Sequence, residues 1–238
     1  MSKLQSSKSK SFQEERGSGG SGLATPDSRL PAEGFDQLAV LLAEVSRTFY
    51  ARGWVLGTSG NFSAVVTRDP LQLAISPSGV DKGSLSADQM LLIDEHARVV
   101  SHHQAKPSDE CPLHIRVVLD RGAGAVLHTH SVWSTTLSDL NWDAVSFQGY
   151  EMLKGLAGVK THEHFELLPI INNSQDMTTL AETVGSVLRE HEAAHGFILR
   201  RHGLYTWGRD LAEAKRHCEI LEFLLEAIGR TRLLNRGN

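Results

Sequence analysis

A short apolar segment of the chain ends in two histidines, His128 and His130, with one residue between them. The residues just before them, Gly124-Ala-Val-Leu, have no helical spacing and therefore predict a buried strand. Because side chains alternate faces along a strand, both imidazoles are expected on the same side. Two imidazoles on one face can chelate a borderline metal such as zinc. Taken alone, the pair also fits ordinary polar residues at a strand end.

A third histidine completes a candidate ligand set. His202 follows a predicted strand, Phe197–Arg201, and precedes Gly203, a residue that lets two backbones approach closely. It is the natural third ligand, although in isolation it also fits a hydrogen-bonded histidine at the end of a strand. Together with the loops described below, this third histidine favours a metal site over ordinary polar residues.

Two other histidine patterns compete with this set. His162-Glu163-His164 precedes a strand in a polar loop, where exposed histidines are expected. His191-Glu192-Ala-Ala-His195 matches the His-Glu-x-x-His signature of zinc proteases, and the two histidines are expected on one helix face. Gly196 is predicted to end that helix at once, whereas the protease motif needs a continuing helix and a suitably placed third ligand.

Three loops rich in glycine and hydroxyl residues could bind an anion. Their exposed backbone N–H groups can wrap a phosphate, and the third loop opens a helix, whose dipole favours negative charge. Each loop is also compatible with a plain tight turn or helix cap. The candidate contacts are Thr58, Gly60, Asn61, Ser78, Gly79, Ser108 and Asp109.

Glu151 and Lys154 form a further candidate pair within Phe147–Gly155. Residues three apart face the same way on a helical turn. A carboxylate beside an ammonium suits proton transfer next to an anionic substrate. The alternative is a surface ion pair, which contributes little to stability.

The elements that would carry these residues alternate between strands and helices. Strands interleaved with helices predict a sheet covered on both faces, a three-layer α/β/α domain. The predicted helices are Phe35–Phe49, Glu110–Asp120, a helix capped by Ser131, Met177–Glu190 and Asp210–Gly229; the predicted strands are Phe62–Val66, Leu71–Ser76, a hairpin over Met90–Val100, the strand into His128, Phe165–Ile171 and Phe197–Arg201. Residues 1–32, rich in serine and glycine, predict a disordered tail or tag, which leaves residues 33–238 as a single domain.

Composition narrows the functional class. The net charge of −4, without a basic cluster beyond the N-terminus, argues against nucleic acid as a partner. The two cysteines, Cys111 and Cys218, are too few for a disulfide framework and suit a reducing compartment. No apolar run approaches the length of a membrane span, and no signal peptide follows Met1. A cytoplasmic protein is expected.

Five segments in order make the chain resemble the class II aldolase/adducin family, over about residues 35 to 230. They are Gly-Thr-Ser-Gly-Asn-Phe-Ser, Ser-Pro-Ser-Gly, Lys-Pro-Ser-Asp-Glu, His-Thr-His and Arg-Arg-His-Gly. Three further segments, Phe147–Gly155, Leu168–Asn173 and His202–Gly208, resemble a dehydratase branch of methionine salvage rather than the sugar-phosphate aldolases.

The resemblance implies a three-layer fold around a mixed, largely antiparallel sheet. It implies one zinc ion per subunit, held by His128, His130 and His202, and a homotetramer with its sites at subunit interfaces. It also implies a sugar-phosphate substrate whose phosphate is bound by the three loops and by Lys154.

The acid/base residue is open between two carboxylates. Glu151 matches the residue that is catalytic in the dehydratases, and Glu110 matches the base and metal neighbour of the aldolases; we favour Glu151. A substrate-contacting cysteine of some dehydratases has no counterpart, since Ile93 stands near its position. The implied reaction is loss of water from a ketose phosphate, with an aldolase or epimerase as the alternative and a zinc protease as a remote one. A non-catalytic adducin-like module would lack the three histidines.

Overall fold

Eight strands form one sheet, in the order β3-β2-β1-β4-β8-β7-β6-β5. A computed structural model describes residues 32–101, 105–141 and 143–235. The strands are β1 (Asn61–Arg68), β2 (Leu71–Ile75), β3 (Leu91–Asp94), β4 (Ala125–Thr129), β5 (Ala144–Phe147), β6 (Glu166–Ile171), β7 (Gly196–Leu199) and β8 (Gly203–Gly208). The helices are α1 (Ala32–Ala51), α2 (Cys111–Arg121), α3 (Val132–Leu140), α4 (Met177–Glu190) and α5 (Leu211–Asn235).

The sheet is mixed and largely antiparallel, because only β6 and β7 pair in parallel. Two apolar clusters cover its faces. One contains Leu42 of α1, Leu137 of α3 and Leu221 of α5, whereas the other contains Val117 of α2 and Val184 of α4. Helices therefore lie on both faces, and the predicted three-layer α/β/α architecture is confirmed.

The ends of two helices follow simple local rules. The α1 helix presents an apolar stripe to the sheet and is followed by Gly53, which has a φ of 74°. The α4 helix begins after Asp176, whose carboxylate accepts hydrogen bonds from the backbone N–H groups of Thr178 and Thr179. Such a cap satisfies N–H groups that the first helical turn leaves unpaired.

Two strands have no counterpart among the predicted elements. The β8 strand, Gly203–Gly208, is buried at every position, so it lacks the alternation that reveals a half-exposed strand. The β5 strand has only four residues, too few for a periodic signal. The predicted strand Phe197–Arg201 ends earlier, at Leu199, and His202 lies in the turn between β7 and β8.

The predicted tail, residues 1–32, lies outside the described residues except for Ala32, where α1 begins. Within the described ranges, no helix has both the length and the apolar character needed to cross a bilayer.

Candidate metal centre

The central strand β4 positions the first two histidines. It lies between β1 and β8, and all five of its residues are buried. His128 is on the strand and His130 follows it, with the backbone N–H of His130 donating to the Trp54 carbonyl at 2.7 Å. Their Nε2 atoms are 2.8 Å apart, as the two-residue period of a strand predicts.

The turn between β7 and β8 brings His202 to the same place. Its Nε2 atom lies 3.4 Å from that of His128 and 3.1 Å from that of His130. Gly203 makes the approach possible, because a Cβ there would overlap the carbonyl oxygen of Thr129. The three histidines that the sequence singled out therefore lie together, with Gly203 at the close backbone approach.

The three side chains fit a bound metal ion. Nitrogen ligands at zinc distances of about 2.0–2.1 Å in a tetrahedron are about 3.3–3.4 Å apart. The spacings of 3.4 and 3.1 Å to His202 approach this value, and the His128–His130 spacing of 2.8 Å is shorter. His128 Nδ1 donates to the Leu204 carbonyl at 3.0 Å, which leaves the Nε2 lone pair free for a metal. Burial, together with the neighbouring imidazoles, lowers the pKa of His128; burial and His202 lower the pKa of His130 to about 3. The imidazoles are therefore neutral, the form that coordinates metals.

Glu110 lies beside this triad. It is the residue just before α2, and its side chain is 14% exposed. Its Oε1 atom is 3.2 Å from His202 Nε2 and its Oε2 atom is 3.7 Å from His128 Nε2. The side-chain amide of Asn61 donates a hydrogen bond to Oε2. A carboxylate is thus held within a few ångströms of the three metal-ligating nitrogens.

Glu151 lies elsewhere in the chain. It begins a short 3₁₀ turn, Glu151–Gly155, and its side chain is 72% exposed. It forms the predicted ion pair with Lys154, whose hydrogen bond lowers the pKa of Glu151. Among the contacts of the described residues, none joins either member of this pair to the three histidines.

The three candidate anion loops meet next to Glu110. The amide of Asn61 donates to Ser108 Oγ at 3.2 Å, and the backbone N–H of Ser78 donates to the Lys106 carbonyl at 3.0 Å. Of the predicted contacts, the exposed ones are Thr58, Ser78, Gly79 and Asp109; the half-buried one is Ser108, and the buried ones are Gly60 and Asn61.

Gly60 and Gly79 both have a positive φ, of 72° each, but their surroundings differ. A Cβ at Gly60 would lie 2.5 Å from Val55 Cγ1 and 2.7 Å from the His128 carbonyl oxygen, whereas a Cβ at Gly79 would meet nothing within 4 Å. Gly60 is therefore required for packing against β4, and Gly79 faces open space.

Lys82 is a charged residue at these loops that sequence reasoning missed. It is 1% exposed, and its Nζ atom donates to the carbonyls of Thr58 at 3.2 Å and Val80 at 2.9 Å. Burial lowers the pKa of Lys82 to about 8, so the ammonium remains mostly charged at neutral pH. In the sequence it is one lysine in a polar turn, and no local pattern signals its burial.

A second cluster joins His164, Glu166 and His195. Glu166 is 1% exposed, and its Oε2 atom is 2.9 Å from both His164 Nε2 and His195 Nδ1. The other ring nitrogen of His195 donates to the Ala157 carbonyl at 2.9 Å. Both ring nitrogens of His195 therefore face acceptors, an arrangement that favours the doubly protonated ring paired with the buried carboxylate.

This cluster corrects two expectations about the competing histidine patterns. His164 is not fully exposed; its side chain is 27% exposed and contacts Glu166. His191 and His195 do not share a helix face, because α4 ends at Glu190 and His195 lies in the loop before β7. The described part of the chain therefore holds no helical His-Glu-x-x-His site, and the zinc-protease alternative loses its structural basis.

The His195–Glu166 pair predicts a pH-dependent stability. Although burial opposes its charge, the Glu166 carboxylate raises the pKa of His195 above its ordinary 6.5. The stabilisation from His195 is complete below pH 6.5 and is lost as the pH rises through the raised pKa. Urea unfolding of the chain and of His195→Gln should give free energies whose difference shrinks as the pH rises above 6.5. His162→Gln, at a side chain that is 53% exposed, is the control, and a constant difference for His195→Gln would contradict the ion pair.

Residues 40–228 match the family described as Class II Aldolase and Adducin N-terminal domain. The chain is similar to proteins named methylthioribulose-1-phosphate dehydratase in other organisms. It is 40% identical over 195 residues to that of Sorangium cellulosum (strain So ce56), covering 81% of this chain and 91% of the relative. It is 41% identical over 188 residues to that of Marinobacter nauticus, covering 78% and 89%.

Solved structures share the fold at lower sequence identity. An L-fuculose-1-phosphate aldolase from Thermus thermophilus superimposes with a TM-score of 0.68 and 22% identity, covering 84% of this chain and 98% of that one. Another L-fuculose 1-phosphate aldolase gives a TM-score of 0.70 with 19% identity, covering 87% and 90%. At these identities the likeness concerns the fold alone.

Proposed function

The chain belongs to the class II aldolase and adducin family, and from that premise we propose that it dehydrates 5-methylthioribulose 1-phosphate to 2,3-diketo-5-methylthiopentyl 1-phosphate. This reaction belongs to methionine salvage. The observation that carries the proposal is a triad of histidines beside a carboxylate, in a chain 40% identical to proteins named for this reaction.

We infer that the metal is zinc, one ion per subunit, held by His128, His130 and His202. Three neutral imidazoles form a donor set typical of catalytic zinc. When bound, zinc supplies a Lewis acid that polarises a carbonyl and acidifies the neighbouring C–H bond.

The protein's carboxylates supply the proton transfers. One carboxylate accepts the proton from C3 of the substrate and returns a proton to the C4 hydroxyl, which leaves as water. The resulting enol becomes the second ketone when a proton returns to carbon. The same group can serve both proton transfers with no net change in its charge.

We propose that Glu151 is this acid/base and that Glu110 supports the metal. Glu151 is exposed within its own subunit, so it would serve the triad of a neighbouring subunit in a homotetramer whose sites lie at subunit interfaces. Glu110 lies 3.2 Å from a ligand nitrogen of its own subunit. Its position also fits a base, and substitution of each carboxylate in turn separates the two roles.

We propose that the substrate phosphate binds where the three loops meet, with contacts from Thr58, Gly60, Asn61, Ser78, Gly79, Ser108, Asp109 and Lys154. The buried Lys82 ammonium adds a positive charge beneath these loops, in a low-dielectric setting where attraction to an anion is strong. We also propose that residues 33–238 act as one catalytic domain. A cytoplasmic location suits the two cysteines, which are free and buried.

A direct assay tests the proposed reaction. The zinc-loaded protein incubated with 5-methylthioribulose 1-phosphate should yield a product lighter by one water, detected by mass spectrometry, and the His130→Ala variant should yield none. An aldolase would instead give two fragments, and an epimerase a product of unchanged mass. Either of these two outcomes would replace the dehydratase proposal by the second candidate, an aldolase or epimerase of the same family.

The role of Lys82 can be measured through substrate affinity. Lys82→Met keeps the length of the buried stem but removes the charge, and we expect KM for the phosphorylated substrate to rise about tenfold or more, in line with a hydrogen bond or charge pair worth about 1.5–3 kcal/mol. Lys160→Met, at an exposed position, is the matched control. An unchanged KM in Lys82→Met would show that the ammonium only ties the loops together.

A further inference from the structure

A chain of buried polar groups runs from the sheet to Glu110. Ser63 and Asn61 lie on β1, and His114 lies on α2. His114 and Ser63 are fully buried, and Asn61 is 4% exposed. The hydrogen bonds link Ser63 to His114, His114 to Asn61 and Asn61 to Glu110. Four side chains are thus connected beneath the metal centre.

The protonation of His114 sets the direction of these hydrogen bonds. Burial lowers the pKa of His114 to about 3, so the ring is neutral and carries one N–H. Asn61 Oδ1 can only accept, so His114 Nε2 is the donor to it. The unprotonated Nδ1 then accepts from the Ser63 hydroxyl at 2.7 Å.

Asn61 is oriented by this arrangement. With Oδ1 occupied by His114, its amide nitrogen faces Glu110 Oε2 and Ser108 Oγ. The opposite amide orientation would place an oxygen against the carboxylate and an N–H₂ group against the donor of His114. His114 therefore fixes which way the Asn61 amide points.

The His114 ring cannot reorient freely. Its edge packs on the ring of Tyr205 at 5.9 Å between centroids, and the same tyrosine stacks on His128 at 3.9 Å. The ligand histidine and the buried histidine are thus braced by a common aromatic side chain.

We infer that His114 is a positioning residue, which acts through Asn61 to hold the Glu110 carboxylate against the three metal-ligating histidines. The inference rests on the proposed metal site and reaction, and it adds a residue that lies outside the proposed metal ligands and phosphate contacts. Partners of this kind orient active-site groups, and their loss costs about 10–100-fold in metal affinity or activity.

A pair of near-isosteric substitutions separates this role from simple packing. In His114→Gln the side-chain amide nitrogen can occupy the position of the histidine Nε2 atom and still donate to Asn61 Oδ1. The shorter side chain in His114→Asn cannot reach Asn61 Oδ1. Both variants lose the ring, so a merely structural role would affect them alike. We expect His114→Asn to lose at least about tenfold in kcat with little change in KM, and His114→Gln to remain within about threefold of the parent.

A second readout does not depend on turnover. Co²⁺ titration of the metal-free protein, followed by its visible absorption, reports the affinity and the coordination of the bound ion. His114→Asn and Glu110→Gln should alter the spectrum and the Kd in the same way, and His114→Gln should leave both unchanged. In the Glu110→Gln background, adding His114→Asn should have no further effect, because coupled residues are not additive.

The outcomes are distinct. Equal impairment of the two His114 variants, or a full effect of His114→Asn in the Glu110→Gln background, would overturn the positioning role. If thermal unfolding shows that His114→Asn does not fold, Asn61→Asp tests the same link by cobalt titration, which does not involve the phosphate. It keeps the acceptor for His114 and removes the donor to Glu110, so its cobalt spectrum should match that of Glu110→Gln, and a parental spectrum would overturn the positioning role. If the parent protein does not dehydrate the substrate, the proposed function has failed, and the cobalt titrations still decide the inference.

Discussion

Replacement of His128, His130 or His202 by alanine is expected to abolish activity and to lower bound zinc in each case. The three Nε2 atoms lie within 3.4 Å of one another, and removal of one leaves only two protein ligands where catalytic zinc sites have three. Metal content measured by atomic emission, together with turnover, checks the result. The fold should persist, because the surrounding core is apolar and remains intact.

His191→Ala is the control for these variants. His191 belongs to the His-Glu-x-x-His pattern, but it is in no cluster of the described residues that could hold a metal ion. The zinc content and turnover of His191→Ala should therefore match those of the parent. Full zinc in all three triad variants would contradict the proposed ligand set. Loss of zinc in His191→Ala would support the His-Glu-x-x-His segment as a zinc site.

Glu151→Gln is expected to lose about two to four orders of magnitude in kcat, the range typical of a positioned proton-transfer group. Its zinc content should not change, because Glu151 is not among the proposed metal ligands. Glu110→Gln should cost less in kcat, about 10–100-fold, and should weaken metal binding, as loss of a carboxylate beside the ligands does. Steady-state kinetics and metal titration on both variants measure these separate effects on kcat and on metal affinity.

Mixed assemblies sharpen the comparison. If Glu151 serves the triad of a neighbouring subunit, inactive Glu151→Gln and His130→Ala subunits should regain activity when they assemble together. Some sites in the mixed assembly then combine the intact triad of a Glu151→Gln subunit with the intact Glu151 of a His130→Ala subunit. No recovery would show that Glu151 does not act across an interface. A dead, zinc-replete Glu110→Gln beside a nearly normal Glu151→Gln would transfer the acid/base role to Glu110.

Local patterns predicted the parts of the site that depend on local geometry. The two-residue period of a strand was enough to place His128 and His130 together, and Gly203 next to His202 indicated a close backbone approach. The central strand β8 escaped prediction because burial on both faces removes its alternation. The layer architecture was predictable nonetheless, since it depends on the order of elements and not on every boundary.

Contacts between distant segments could not be predicted in this way. The buried ammonium of Lys82 contacts the Thr58 carbonyl, 24 residues away in the sequence. Glu166 likewise contacts His195 across 29 residues. The contact between His114 on α2 and Asn61 on β1 could not be predicted either. From the sequence alone, His114 is only a residue on one face of a helix. The exposure of His164 was mispredicted although its partner Glu166 is only two residues away. The distant part of this cluster is His195, which contacts the same carboxylate.

The central position of β4 has a consequence for the kinetics of metal exchange. Backbone amides of a strand paired on both sides and buried throughout open to solvent mainly when the whole domain unfolds. The backbone at His128 is therefore expected to stay in position until the whole domain unfolds. His202 instead sits in a short turn with Arg201 at a φ of 54°. The backbone N–H groups of Arg201 and His202 donate to Ser138 Oγ and to the Leu199 carbonyl, and a local rearrangement can break these two bonds. Amide hydrogen exchange should be slowest along Ala125–Thr129 and much faster at positions 200–202. The ion would therefore leave through the turn, at a rate set by that local opening and independent of the stability of the domain.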